Sequence, residues 1–140
     1  MPARDIFHHQ VRQALCKKGW VITHDPYWIK LAGSDMNAYV DLAAERMIAA
    51  EKGDEKIAVE IKSFLGTSFL SDFHQALGQY LDYKIALRQK ELERRLFLAV
   101  PIDVYQAFFT RPFVQTVCQE YELYLLTFDP QAEEICTWIK

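Results

Sequence analysis

The sequence predicts an α/β fold: a mixed central sheet, built from an antiparallel three-strand meander plus an αβ crossover, flanked by helices. Three observations carry this prediction. Residues 38–49 and 56–64 read as strands separated by the turn-forming EKGDE segment at 51–55, which makes them an antiparallel hairpin. A long helical stretch, 70–93, then leads into RLFLAV at 95–100. That near-continuous apolar run is what a strand buried on both faces requires. Strand, long helix and buried strand form a crossover unit, so the third and fourth strands should be parallel with a right-handed connection.

The other elements fall in order around this centre. Residues 4–19 read as a helix: Phe7, Val11, Ala14, Leu15 and Lys18 recur at helical spacing, Asp5 can cap the start and Gly19 can end it. Residues 20–29 (WVITHDPYWI) are rich in β-branched and aromatic residues and read as a strand. Pro26 cannot donate to a ladder, which puts this strand at an edge or breaks it there. Residues 31–37 are a loop, and Gly66, Thr67 and Ser68 break the chain before the long helix. Along that helix Leu70, Phe73, Leu77, Leu81 and Lys84 make one stripe. Residues 103–121 read as one or two short helices interrupted at Pro112. Strands at 122–128 and 134–139, joined by a DPQ turn, finish the chain. No repeat, low-complexity stretch or linker divides it, so one domain over residues 1–140 is expected.

Composition narrows the class. Hydrophobic residues make up 51% of the 140 and charged residues 25%, which is a globular balance rather than a disordered one. Cys16, Cys118 and Cys136 are an odd, scattered set without a CxxC pair, which argues against a disulfide framework or a zinc knuckle. The segment MPARDIFHHQ lacks an apolar signal region, and no run approaches the ~18 apolar residues of a membrane span. A cytoplasmic location is the expectation. The net charge of −3 is not that of a general nucleic-acid binder, so any phosphate contact must be local. Lys17, Lys18, Lys84, Arg88, Lys90, Arg94 and Arg95 form two cationic clusters, readable as solvated helix faces or as phosphate contacts.

The chemistry gathers on the central hairpin. Along IAVEIKSF, Ile57, Val59 and Ile61 point one way, while Ala58, Glu60, Lys62 and Phe64 point the other. A carboxylate and an ammonium two residues apart therefore share a face with apolar neighbours, where an ionised Glu is costly unless paired or metal-bound. On the preceding strand Asp41, Ala43 and Glu45 share a face. A turn centred between Lys52 and Gly53 would set Glu45 opposite Glu60 and Ala43 opposite Lys62. Neighbouring registers bring Asp41 opposite Lys62 or Glu60. Carboxylates opposed on a sheet repel, and one Lys does not neutralise them. A hard divalent cation held by Asp41 and Glu60 would do so, Mg²⁺ with Mn²⁺ as a substitute. Such an ion polarises phosphoryl oxygens and activates water, and Lys62 would stabilise the developing charge. An isolated E-x-K is common and usually means nothing. D-x(18)-E-x-K on adjacent strands, followed by a break and a long helix, is more specific.

At these residues the chain resembles the PD-(D/E)xK nuclease superfamily, with its restriction-endonuclease-like core of helix, three-strand meander, helix and strand. Asp41 matches the acidic position of the second strand, and Glu60 and Lys62 match the E-x-K of the third. The Pro before the Asp is replaced by Val40. More closely, DxFHxxVxxAL, LCKKGWVITHDPYWI, VDLAAERMIAAEKGDEKIAVEIKSF and ALGQYLDYKIAL resemble the XisH family, the fdxN element excision controlling factors. That resemblance implies a cyanobacterial-type factor for programmed excision of a DNA element during heterocyst differentiation. Its partners would be DNA, a site-specific recombinase and a companion excision factor of the XisI type. Nucleases of this fold commonly dimerise, so a homodimer is open, although no self-complementary patch is legible. Many superfamily members also draw an acid from the first helix. This helix offers His8, His9, Gln10 and Gln13 but no Glu, which weakens a two-metal version.

Gln75 and Gln79, four apart on the long helix with Tyr83 on the next turn, are candidate neighbours of the site. An ordinary polar helix face is the alternative for them. His74 reads as a surface residue, and Trp20, Trp28 and Trp138 read as core. Two functions are consistent with this pattern. One is a Mg²⁺-dependent DNA endonuclease or nuclease-like subunit acting in DNA rearrangement. The other is a non-catalytic accessory protein that directs a recombinase through DNA or protein contacts.

Overall fold

The computed structural model describes residues 6–27 and 47–140. Residues 1–5 and 28–46 lie outside that description, and with them the 31–37 loop and most of the strand expected at 38–49.

Helix α1 (His8–Lys17) buries Val11, Ala14 and Leu15. Gly19 follows at φ +87°, the left-handed region that favours glycine, and turns the chain toward the sheet. Six strands then pair strictly in sequence order. Strand β1 (Val21–His24) is an edge strand and stops short of Pro26, so the strand expected over 20–29 is broken there. Strands β2 (Met47–Lys52) and β3 (Glu55–Ile61) form the expected hairpin. Both run further into EKGDE than their patterning indicates. Lys52 pairs with Glu55, leaving Gly53 and Asp54 as a two-residue turn with Gly53 at φ +59°.

This turn corrects the register. Its tip falls one residue later than between Lys52 and Gly53, so each β3 partner moves two places along β2. Glu60 lies opposite Met47, not opposite Glu45, and the shift runs away from the registers that would bring Asp41 opposite Lys62 or Glu60. A two-residue step preserves which side chains share a face, so the alternation along β3 survives the correction.

Helix α2 (Phe69–Lys90) carries the chain across to β4 (Arg95–Pro101), which runs parallel to β3 as the crossover pattern requires. The buried stripe of α2 is Phe73, Ala76, Tyr80, Tyr83 and Leu87, while Leu70 is half exposed. The expected Leu70–Leu77–Leu81 stripe is thus rotated. Tyr80 can be buried because its hydroxyl donates to Leu96 O at 2.9 Å and accepts from Tyr124 N at 3.1 Å. After β4 a short helix α3 (Ile102–Val104) runs into a π-helical turn at Tyr105–Phe109. The expected interruption at Pro112 falls at Thr110 and Arg111, just before it, and Pro112 opens α4 (Pro112–Glu120), where its missing N–H costs nothing. Strand β5 (Leu125–Asp129) lies parallel to β4, and β6 (Glu134–Ile139) closes the sheet antiparallel to β5.

The sheet separates two apolar cores. On one face Met47, Ala49, Ala58, Leu96, Leu98 and Val100 pack against α2, Phe109 and Val114. On the other Ile48, Ala50, Ile57, Val59, Ile61, Phe97 and Ala99 pack against α1 and Trp20. The two sets are the alternate residues of β2, β3 and β4, as strand geometry dictates. No helix among the described residues is long and apolar enough to cross a membrane.

Candidate functional site

Glu60 occupies the α2 face of β3 with Met47 on one neighbouring strand and Leu98 on the other. Only 1% of it is exposed, and its cross-strand neighbours are the apolar Met47 and Leu98. A carboxylate in such surroundings loses most of its hydration. Lys62 stands just beyond the strand end. Its backbone N–H donates to Ala99 O at 3.1 Å, which carries the strand pairing one residue further. Strand alternation then puts its side chain on the Glu60 face. There Lys62 Nζ donates to Gln75 Oε1 at 3.3 Å.

The loop between Lys62 and α2 fixes this contact. Phe64 takes φ +57° and stacks on Phe69 at a centroid distance of 5.5 Å. Gly66 N donates to Asp72 Oδ2 at 2.9 Å. A Cβ on Gly66 would lie 2.6 Å from that carboxylate, so a larger residue would displace the Asp72 side chain and break this bond. The Ser68 hydroxyl accepts from Ser71 N at 3.2 Å and caps the helix. The α2 start is thereby held where Gln75 reaches Lys62.

Of the residues singled out in the sequence, the described structure brings Glu60, Lys62 and Gln75 to the C-terminal end of β3. Gln79, one helical turn beyond Gln75, has its Oε1 buried with no hydrogen-bond partner among the described residues. Burial pushes the Tyr80 hydroxyl well above its usual range, and the charge of Glu60 adds a smaller push in the same direction. Asp41 and Glu45 lie outside the described residues. Among the described residues no group of three His, Cys, Asp or Glu gathers as metal ligands. His74 is exposed on α2, as its position in the pattern indicates.

One charged cluster escapes the sequence reading. Asp25, with a side chain 6% exposed, lies 2.7 Å from His8 Nε2 through Oδ1 and takes the Arg12 guanidinium at Oδ2. His8 and Arg12 are four apart and share one face of α1, which is the only sequence signal for it. An acid therefore does reach the first helix, supplied by the segment after β1. Both of its oxygens are occupied by α1 side chains, so it is a strut rather than an open ligand.

The fold and this site define an α/β protein with a mixed six-strand sheet and a buried carboxylate beside a lysine at the end of a central strand. The XisH family model, described as XisH protein, matches residues 1–136, and the chain belongs to the XisH family. Two solved structures are similar to it throughout. One is the crystal structure of an XisH family protein from Nostoc punctiforme PCC 73102, 43% identical, with 97% of this chain and 100% of that chain covered at a TM-score of 0.86. The other is the crystal structure of an fdxN element excision controlling factor protein from Anabaena variabilis, 43% identical, with 98% and 100% covered at a TM-score of 0.86. Comparison with curated proteins gives no match.

Proposed function

We propose that this chain is a DNA element excision controlling factor with a restriction-endonuclease-like fold and a PD-(D/E)xK site. Its role would be metal-dependent DNA binding or phosphodiester cleavage in support of programmed site-specific DNA rearrangement. The observation that carries this reading is the buried Glu60 carboxylate on β3, with Lys62 on the same face held against Gln75. The name carried by the Anabaena variabilis relative supports the excision role. All 140 residues are taken as a single endonuclease-like domain.

A carboxylate in an apolar strand face suits a hard cation, which prefers oxygen donors, but one carboxylate is too few to hold it. Asp41 is the second donor that the sequence offers. Asp41 and Glu60 would hold Mg²⁺, or Mn²⁺ in its place. The ion would supply Lewis-acid polarisation of a phosphoryl oxygen and a more acidic water. Lys62 would place its ammonium beside the attacked phosphate and stabilise the negative charge that builds there. Gln75 would orient that ammonium. Partners on this reading are DNA, a companion excision factor of the XisI type and a site-specific recombinase, with a homodimer if both strands are cut, all in the cytoplasm.

A second reading, a non-catalytic accessory protein that directs a recombinase, is favoured by one observation. Asp25, the acid next to α1, is closed off by His8 and Arg12 and adds no further ligand. A supercoiled-plasmid nicking assay with Mg²⁺ or Mn²⁺ separates the two. Nicking by the wild type that is lost in both Glu60→Ala and Lys62→Ala supports the nuclease. Nicking unchanged in both variants removes the site assignment. No nicking, together with recombinase or companion-factor binding, establishes the accessory role.

A further inference from the structure

A groove of about 330 Å³ opens between the C-terminal half of α2 and the start of β4. Four of its lining side chains are cations, Lys84, Arg88, Arg94 and Arg95, against one acid, Glu93. This concentration stands out in a chain whose net charge is −3. Two of the cations are already committed. Lys84 Nζ donates to Tyr121 O at 3.2 Å and lies 3.7 Å from the Glu122 carboxylate. Arg94 is buried and bound to Glu91 and Ile57 O. Glu93 is itself paired with Lys56 at 3.7 Å.

Arg88 and Arg95 differ. Both are exposed, and neither makes an ion pair with another described residue. Arg95 is exposed, and its guanidinium carbon lies over the Tyr124 ring at 5.4 Å from the centroid, a cation–π contact that uses the ring face rather than a hydrogen bond. Arg88 enters from the last turn of α2. Two guanidinium forks converging on one groove match an anion with several oxygens, and phosphate is the group for which that geometry is best suited. The groove volume exceeds what a lone carboxylate needs and admits a nucleotide-sized ligand.

We infer that this groove is a phosphate-binding site formed by Arg88 and Arg95, with Lys84 as a fixed positive wall. Arg88 lies thirteen residues along α2 from Gln75, about 20 Å of helix, so the site is separate from Glu60 and Lys62 and does not rest on their role. The phosphate would come from a free nucleotide or from a DNA backbone.

The test uses the full chain, titrated with inorganic phosphate, thymidine monophosphate and a 20-base-pair DNA duplex and followed by amide chemical shifts. The expected result is saturable shifts confined to residues 84–95 and 121–125, with affinity reduced at least tenfold in R88Q/R95Q and only partly restored in R88K/R95K, which keeps the charge without the fork. With DNA, the double Gln variant should also lose about two from the log–log salt slope. Response to the two small ligands alone assigns a nucleotide-type site. Response to DNA alone assigns a backbone contact. Shifts that map elsewhere, no response to any of the three, or equal binding by R88Q/R95Q would overturn the inference. Glu60→Ala and Lys62→Ala should leave this binding unchanged, which keeps the result independent of the nuclease reading.

Discussion

Lys62 Nζ donates to Gln75 Oε1 at 3.3 Å, joining the end of β3 to the second turn of α2. A free lysine samples many rotamers; this bond restricts the ammonium to the Glu60 side of the sheet. If Lys62 stabilises a phosphoryl transition state, Lys62→Ala should lower the nicking rate by about a hundredfold to a thousandfold. Gln75→Ala leaves the charge and removes only a hydrogen bond of about 1 kcal/mol, so its rate should fall about fivefold. Single-turnover nicking kinetics measure both, and equal losses in the two variants would contradict an orienting role for Gln75.

Metal binding should appear in stability before it appears in activity. At ten times its dissociation constant an ion that binds only the folded chain contributes about 1.4 kcal/mol, or roughly 4 °C in Tm for a protein of this size. Mg²⁺ or Mn²⁺ should therefore raise the wild-type Tm, and the rise should vanish in Glu60→Ala and Asp41→Ala. Thermal melts across a metal titration provide the check. An identical rise in all three proteins would place the ion elsewhere.

The Tyr27 hydroxyl donates to Glu91 Oε1 at 2.6 Å, below the Arg94 guanidinium. Burial, then the bond to Glu91, push the phenol up to about 12, while the same bond holds the Glu91 carboxyl below its ordinary value. The phenol's folded pKa is raised, so its contribution is complete below the unfolded value near 10 and is lost as pH climbs toward 12. The carboxyl's folded pKa is depressed, so its contribution is present above the unfolded value of 4.5 and is lost as pH falls through the lower folded value. Tyr27→Phe should cost about 1–2 kcal/mol at neutral pH and flatten the alkaline limb of the stability profile. Urea unfolding between pH 3 and pH 12 reads both limbs.

Gly66→Ala should destabilise the chain by about 1 kcal/mol, the scale of one lost hydrogen bond. The new methyl would stand 2.6 Å from the Asp72 carboxylate, which must swing away and abandon the Gly66 N–H. Asp72→Ala relieves the clash and loses the same bond. The double variant should therefore be less damaged than the sum of the singles, and a double-mutant cycle by chemical denaturation would reveal purely additive losses if the contact were unimportant.

Much of the fold is written locally. The alternation Ile57–Ala58–Val59–Glu60–Ile61 assigns each residue to a sheet face because strand side chains alternate with a period of two, whatever surrounds them. Pro26 stops β1 because it has no N–H to donate, and RLFLAV marks β4 because a strand covered on both faces accommodates that many apolar residues. The pairing of Glu60 and Lys62 on one face needed nothing further. Helix α2 was legible in length, but its buried stripe was not. Tyrosines read as amphipathic in sequence, and only Leu96 O and Tyr124 N, far along the chain, make Tyr80 a core residue.

What the sequence determined by itself, then, is the order of elements, the sheet faces and the side on which the Glu60 carboxylate and the Lys62 ammonium lie. Tertiary structure decided three things that no local pattern encodes. The turn at Gly53–Asp54 set Met47 rather than Glu45 against Glu60, because register depends on where a hairpin tip falls to within one residue. Packing of α2 on the sheet brought Gln75 to Lys62 from thirteen residues away. The approach of α1 to the end of β1 enclosed Asp25 between His8 and Arg12, turning an acid next to the first helix into a structural contact.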